Sequence, residues 1–172
     1  MRPFPSALLT GLTLLALAAT PSVLLAQAKP PAAAAAPAAK SLATADGENP
    51  DMRAEILELK RTSGDQLMLR FMIVNDAAKP FNFSDSLADP EFSGKDHSSV
   101  SGVHLLDGAN KKKHFVLRDA EGHCVCSRKL GDIAAKSRMT VWARFPAPPE
   151  GTQKVSIVIP RFIPVDDVPI SR

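Results

Sequence analysis

The chain has 172 residues, with 21 Lys and Arg against 18 Asp and Glu, a formal net charge of +3 at pH 7 and two cysteines. This charge is too small and too evenly spread to indicate a nucleic-acid-binding protein, which concentrates basic residues on one face. The cysteines are not needed for folding, because a domain of this size buries enough apolar surface to fold without a disulfide.

The N-terminal segment has the three parts of a secretory signal peptide. Arg2 supplies the positive charge, residues 7–19 form an uncharged apolar run, and Ala-Gln-Ala at residues 26–28 is a small-x-small cleavage pattern. Polar residues and a proline at 20–22 interrupt the apolar stretch before it reaches the roughly 20 residues of a spanning helix. We expect cleavage after Ala28, no membrane span in the mature chain and a periplasmic location, with full secretion as the alternative.

The next segment, residues 29–51, is rich in Ala and Pro and has low complexity. Such a segment cannot bury a core, and its prolines favour an extended spacer. We predict a disordered linker over residues 29–51 and a single domain over residues 52–172.

Within this domain, short stretches of alternating apolar and polar residues are separated by turn signals. In residues 66–75, every second residue is apolar and would face a core: Leu67, Leu69, Phe71 and Ile73. No long segment has helical spacing. We therefore predict an all-β fold, an antiparallel β-sandwich of about seven or eight strands, with an open barrel as the alternative. The predicted strands lie at residues 53–61, 66–75, 103–106, 112–118, 123–127, 138–145, 154–159 and in the tail after residue 160.

Residues 84–100 are polar and rich in turn signals, which predicts a long loop. Long loops without regular structure are uncommon in compact domains and are often functional. We take this loop as the candidate surface for binding a partner, a protein or another component of the cell envelope.

The cysteines, Cys124 and Cys126, lie two residues apart and share a face in a regular strand. Their Cβ atoms would then be about 7 Å apart, whereas a disulfide needs about 3.8 Å, so a bond between them requires a local kink. Three interpretations stay open: two buried thiols, a strained disulfide, or a metal site in which His114 or His123 joins the sulfurs. Two thiolates suit a soft ion such as Cu(I), whereas the ligand spacing of a structural zinc site is absent.

The pairing register of the predicted hairpin decides whether His114 can join the cysteines. If Arg118 pairs with His123, His114 lies on the opposite face. If Gly122 forms a bulge and pairs with Arg118, His114 shares the face of the cysteines. The sequence leaves both registers open.

Catalytic motifs are missing from the sequence: it contains no G-x-S-x-G, no Gly-rich phosphate loop and no H-E-x-x-H. A nucleophile pair of His123 and Cys124 is disfavoured, because adjacent residues of a strand point to opposite faces. We therefore predict a protein that is not an enzyme and needs no cofactor.

Two segments carry a family resemblance: VHLLDGANKKKHFVLRDAEGHCVCS at residues 103–127 and TVWARFPAPPEGTQKVSIVIPRFIPVDDVPI at residues 140–170. Together they resemble exported bacterial Ig-like β-sandwich domains, similar to the modules found ahead of OmpA-like peptidoglycan-binding domains. The resemblance covers residues 103–171, with looser agreement over 53–75, and this chain shows no OmpA-like domain. It implies an Ig-like sandwich and makes the two cysteines part of the hairpin pattern, but it transfers no catalytic residue.

These features predict a non-enzymatic interaction module of the envelope, or a secreted one, with a protein or envelope component as partner and no nucleic acid. The alternative is a periplasmic redox or soft-metal (copper) accessory protein that uses the Cys124-Val125-Cys126 hairpin.

Overall fold

A computed structural model describes residues 40–82, 87–92 and 94–172. The predicted signal peptide at residues 1–28 and the first part of the predicted linker lie outside the described residues. Within the described ranges the chain forms eight strands and one short 3₁₀ helix, so the predicted all-β fold is confirmed. No helix in those ranges has the length and apolar character needed to cross a membrane. The strands are β1 (Ala43–Asp46), β2 (Met52–Thr62), β3 (Gln66–Asn75), β4 (His104–Asp107), β5 (Lys112–Phe115), β6 (Ser137–Pro146), β7 (Lys154–Val158) and β8 (Val165–Pro169), and the helix is Pro90–Phe92.

The strands pair antiparallel in two four-stranded sheets, with the orders β1-β2-β3-β6 and β5-β4-β7-β8. The inward side chains of both sheets form one hydrophobic core, so the chain is a sandwich and not an open barrel. At one side of the sandwich β5 contacts β6, and at the other side β1 contacts β8.

The alternating patterns fold as the sequence predicts. The inward row of β3 (Leu67, Leu69, Phe71 and Ile73) is fully buried. In β6, Val141 and Phe145 are fully buried, whereas Trp142 between them is partly exposed on the outer face. One-sided burial fixes the register of both strands, because a slip by one residue would turn each apolar row to solvent.

The N-terminal boundary of the sandwich lies earlier than predicted. Strand β1 falls inside residues 29–51, which the sequence assigns to a linker. It pairs with β2 so that Ala45 lies opposite Ala54, and both alanines are buried. Ala43 and Ala45 are small, so this short strand has almost no hydrophobic periodicity to distinguish it from the Ala-rich segment before it.

The predicted loop at residues 84–100 is anchored in its described parts. Leu87 and Val100 are fully buried, and the Gly102 N–H donates to the Leu87 carbonyl at 3.0 Å. The loop therefore packs on the core at both of its ends.

Candidate functional site

The two cysteines form a disulfide bond in the structure. Their Cα atoms are 5.3 Å apart. In an extended strand, the Cα atoms of residues i and i+2 are about 6.6 Å apart, so the chain is locally compressed here, and the distance falls within the usual range for a disulfide. The chain bends at Val125 to allow this. Cys124 is 3% and Cys126 5% exposed, so the disulfide is shielded from solvent.

The segment around the disulfide is less regular than the predicted strand at 123–127. Arg118 pairs with Cys124, and neither register considered from the sequence is present. The pairing is fixed by two backbone hydrogen bonds, from Val125 N–H to the Leu117 carbonyl at 2.7 Å and from Asp119 N–H to the His123 carbonyl at 2.9 Å. A tight turn connects the two arms.

Gly122 closes this turn with a φ of 82°, a conformation that strongly favours glycine. Its N–H donates to the Asp119 carbonyl at 3.0 Å. Gly122 therefore belongs to the turn, and the bulge pairing of Gly122 with Arg118 is not found.

The second arm of the turn extends the first sheet beyond β6. The Arg144 N–H donates to the Val125 carbonyl at 3.0 Å, and the Ser127 N–H donates to the Trp142 carbonyl at 2.9 Å. The hydroxyl of Ser127 also accepts the N–H of Trp142 at 3.0 Å. The disulfide segment thus covers the outer edge of β6.

A buried carboxylate, Asp96, contacts the backbone of the disulfide segment, and its side chain has no exposed surface. Its Oδ2 accepts from Arg118 Nη1 at 2.7 Å and from the Cys124 N–H at 3.0 Å. Its Oδ1 is 3.4 Å from His123 Nδ1 and 3.7 Å from Arg128 Nη1. A buried charge needs such partners, because desolvation of an isolated carboxylate costs several kcal/mol.

Arg118 connects this cluster to the other side of the loop. Its Nη1 also donates to the Gly122 carbonyl at 3.0 Å, and its Nη2 donates to Asp89 Oδ2 at 3.3 Å. The guanidinium of Arg118 therefore contacts Asp96, Asp89 and the hairpin turn at the same time. Asp89 also lines a cleft.

The cleft has a volume of about 1000 Å³ and opens beside β5. Residues 88–91 of the loop line one wall, and residues 112–118 line the other. His104, Pro146 and Pro160 complete the lining.

Strand β5 is the edge of its sheet and pairs only with β4 among the described strands. In the described residues, no backbone hydrogen bond outside the sheet ladders involves residues 112–116. Lys112, Lys113 and Phe115 are exposed along it, and Lys113 Nζ lies 4.8 Å from the centre of the Phe115 ring. The cleft therefore contains an open sheet edge with a basic and apolar surface.

The inward side chain of β5 is His114, which is 3% exposed. Neither ring nitrogen forms a hydrogen bond of good geometry with the described residues. Burial lowers the pKa of His114 below its usual 6.5, and the charge of Lys112 acts in the same direction, against smaller opposite effects of Asp107 and the Pro146 carbonyl. The side chain is therefore a neutral imidazole packed behind the cleft.

The four predicted metal ligands therefore do not come together in one site. The sulfurs of Cys124 and Cys126 are bonded to each other, His123 contacts Asp96, and His114 is the buried side chain of β5. Within the described part of the chain, no group of three His, Cys, Asp or Glu side chains is arranged to hold a metal ion.

Sequence reasoning missed Asp96, Asp89 and Arg128. All three lie in polar stretches without periodicity, and Asp96 is 28 positions from the cysteine that it contacts. The length of the loop was the one signal that pointed to this region.

No family model, curated protein or solved structure matches this chain.

Proposed function

We propose that this protein is a non-enzymatic binding module of the bacterial envelope, built on an Ig-like sandwich, which accepts an extended segment of a partner protein beside β5. The observation that carries the proposal is the open edge of β5 inside a cleft of about 1000 Å³. An exposed sheet edge binds an extended peptide by adding it as a further strand, with main-chain hydrogen bonds supplying affinity.

The side chains of β5 define the chemistry of the partner. Lys112 and Lys113 would pair with acidic residues of the added strand, and Phe115, which is 57% exposed, would contact an apolar one. On the facing wall, Asp89 is already engaged by Arg118. The favourable charge for an acidic peptide therefore lies on the β5 side of the cleft.

The predicted signal peptide supports a periplasmic or secreted location. A disulfide is stable in such a compartment, since thiol-reducing systems operate mainly in the cytosol. The disulfide between Cys124 and Cys126 is shielded from solvent, as expected of a bond that stabilises the hairpin instead of reacting.

The alternative, a redox or copper accessory protein, has less support. A thiol partner would have to reach sulfurs that are almost fully buried, and copper would need the thiolates that the disulfide consumes. The same bond occupies the thiols that a cysteine-dependent enzyme would use as its nucleophile.

Selection of a random peptide library on the purified chain, followed by hydrogen exchange with a selected peptide, tests the proposal. We expect enrichment of peptides that combine acidic and apolar residues. The amides of residues 112–116 should exchange more slowly in the complex, because new main-chain hydrogen bonds protect them.

A matched pair of charge variants serves as the control. The change Lys112→Glu with Lys113→Glu should weaken peptide binding by about tenfold. The change Lys40→Glu with Lys79→Glu alters the net charge equally at two exposed lysines outside the cleft lining and should weaken binding by less than about twofold. The proposal would be overturned if the peptide protected amides elsewhere and left the exchange of β5 unchanged. It would also be overturned if both pairs of charge variants weakened peptide binding equally.

A further inference from the structure

The outer face of the other sheet concentrates basic side chains around the single tryptophan of the chain, Trp142. The inward neighbours of this residue, Val141 and Ala143, are fully buried, so Trp142 points outward. The register places the outward side chains of β2, β3 and β6 in rows: Lys60–Met68–Arg144, Glu58–Arg70–Trp142, Glu55–Met72–Thr140 and Arg53–Val74–Arg138.

The cations of this face exceed its carboxylates, especially near β6. Arg53 is paired with Glu55 and with Asp76 at the strand end, and Arg70 lies 3.9 Å from Glu58. Three other cations of this face, Lys60, Arg138 and Arg144, form no ion pair in the described part of the chain. Arg144 donates a hydrogen bond to the side-chain oxygen of Gln66 at 3.2 Å. The face is therefore positive although the whole chain is nearly balanced.

Trp142 lies on β6 among these charges. It is 37% exposed, and its backbone is fixed between β3 and Ser127. Arg70 is paired with Trp142 across the two strands, and Arg144 follows it by two residues on the same face of β6. Trp142 therefore has an arginine as a neighbour in each direction. An exposed aromatic ring with cations beside it can stack on an apolar ring face and pair with anionic groups of the same ligand.

We propose that this face binds an anionic polysaccharide, a sugar polymer bearing carboxylate, sulfate or phosphate groups. The apolar face of a sugar ring would stack on the indole of Trp142, and its anionic groups would pair with Arg70, Arg138 and Arg144. Neighbouring strands lie about 4.8 Å apart, and successive outward residues along a strand lie about 7 Å apart, so the face offers regularly spaced charges to an extended polymer with repeated anionic groups.

Two other polyanions fit the face less well. A lipid surface would need several protruding apolar side chains close together. The large exposed hydrophobic residues of this sheet among those described are Trp142 on β6 and Leu42 beside β1, and these two strands are the opposite edges of the sheet. A nucleic acid could pair with the cations, yet the predicted export separates the chain from it.

The single tryptophan provides the test. The chain has one Trp and no Tyr, so its tryptophan fluorescence reports on Trp142 alone. We expect dextran sulfate and polygalacturonate to change the emission with an affinity that falls as salt rises, and neutral dextran to leave it unchanged. DNA and anionic vesicles are titrated in parallel.

The change Arg70→Glu with Arg138→Glu should weaken polysaccharide binding by about tenfold, whereas Lys112→Glu with Lys113→Glu, an equal change in charge on the other sheet, should weaken it by less than about twofold. Trp142→Phe keeps a ring and should retain binding in a pull-down, whereas Trp142→Ala should lose it. Circular dichroism confirms the fold of each variant. Equal weakening by both charge pairs, no response to either polyanion, or tighter binding to DNA or vesicles would overturn the proposal.

Discussion

The buried carboxylate of Asp96 accepts a hydrogen bond from the backbone N–H of Cys124 at 3.0 Å. This contact joins the loop that forms one wall of the cleft to the hairpin that carries the disulfide. Because Asp96 Oδ2 also accepts from Arg118, the contact is part of a network in which a charge is fully buried. This carboxylate therefore adds a polar anchor to the apolar contacts that hold the loop on the core.

The change Asp96→Asn should destabilise the fold by about 3 kcal/mol, because it leaves the guanidinium of Arg118 with a weaker partner in a buried site. Urea denaturation measures the effect. As a control, Asp167→Asn removes an exposed pair with Lys154 and should cost less than about 1 kcal/mol. Similar losses in the two variants would show that the buried network contributes no more than a surface ion pair.

The disulfide should be present in the purified protein and should stabilise it only modestly. Without reductant, neither Cys124 nor Cys126 should react with an alkylating reagent in denaturant, and the intact mass should be that of the oxidised chain. Because the bond closes a loop of three residues, replacing both cysteines by Ser should cost about 1.5 kcal/mol in chain entropy. Alkylation of both cysteines before reduction would instead identify them as free thiols and restore the copper interpretation.

The strands with one buried face could be predicted from the sequence, whereas the candidate site could not. In β3 and β6, apolar residues alternate because one face packs on the core, and this pattern is local. The contact between Asp96 and Arg118 joins residues 22 positions apart and has no periodicity. The register around Gly122 could not be predicted either: the sequence offered pairing of Arg118 with His123 or with Gly122, whereas Arg118 pairs with Cys124 in a segment without a periodic pattern.

Stability should fall with acid because of His114. Burial lowers its pKa below 6.5, and the pKa of His104 is lowered in the same direction by burial. Between the folded and unfolded pKa values the unfolded state binds more protons, so the free energy of unfolding decreases as pH falls below about 6.5 and levels off above it. Urea denaturation from about pH 8 to about pH 5 should show a shallower decrease for His114→Leu than for the natural chain.

The matched control for this pH dependence is Ile163→Ala, a change at an exposed residue without a titratable group, which should leave the decrease unaltered. His114→Leu should be at least as stable as the natural chain near neutral pH, because it removes a buried polar ring without well-formed hydrogen bonds to described residues. An unchanged pH dependence in His114→Leu would mean that the imidazole reaches solvent when it is protonated.

The cleft wall should also depend on Gly102, which lies directly under the start of the loop. A Cβ at this position would be 2.9 Å from the Ala88 carbonyl oxygen and 3.0 Å from that of Leu87, so the loop backbone would have to move. We expect Gly102→Ala to destabilise the fold by about 1–3 kcal/mol, as overpacking does, and to weaken peptide binding beside β5. Gly108→Ala is the matched control, because nothing lies within 4 Å of its added Cβ and its φ is not positive. Thermal denaturation and the hydrogen exchange of residues 87–91 measure the loss of stability, and titration with a peptide selected on the chain measures binding. Equal stability and equal binding of the two variants would contradict this prediction.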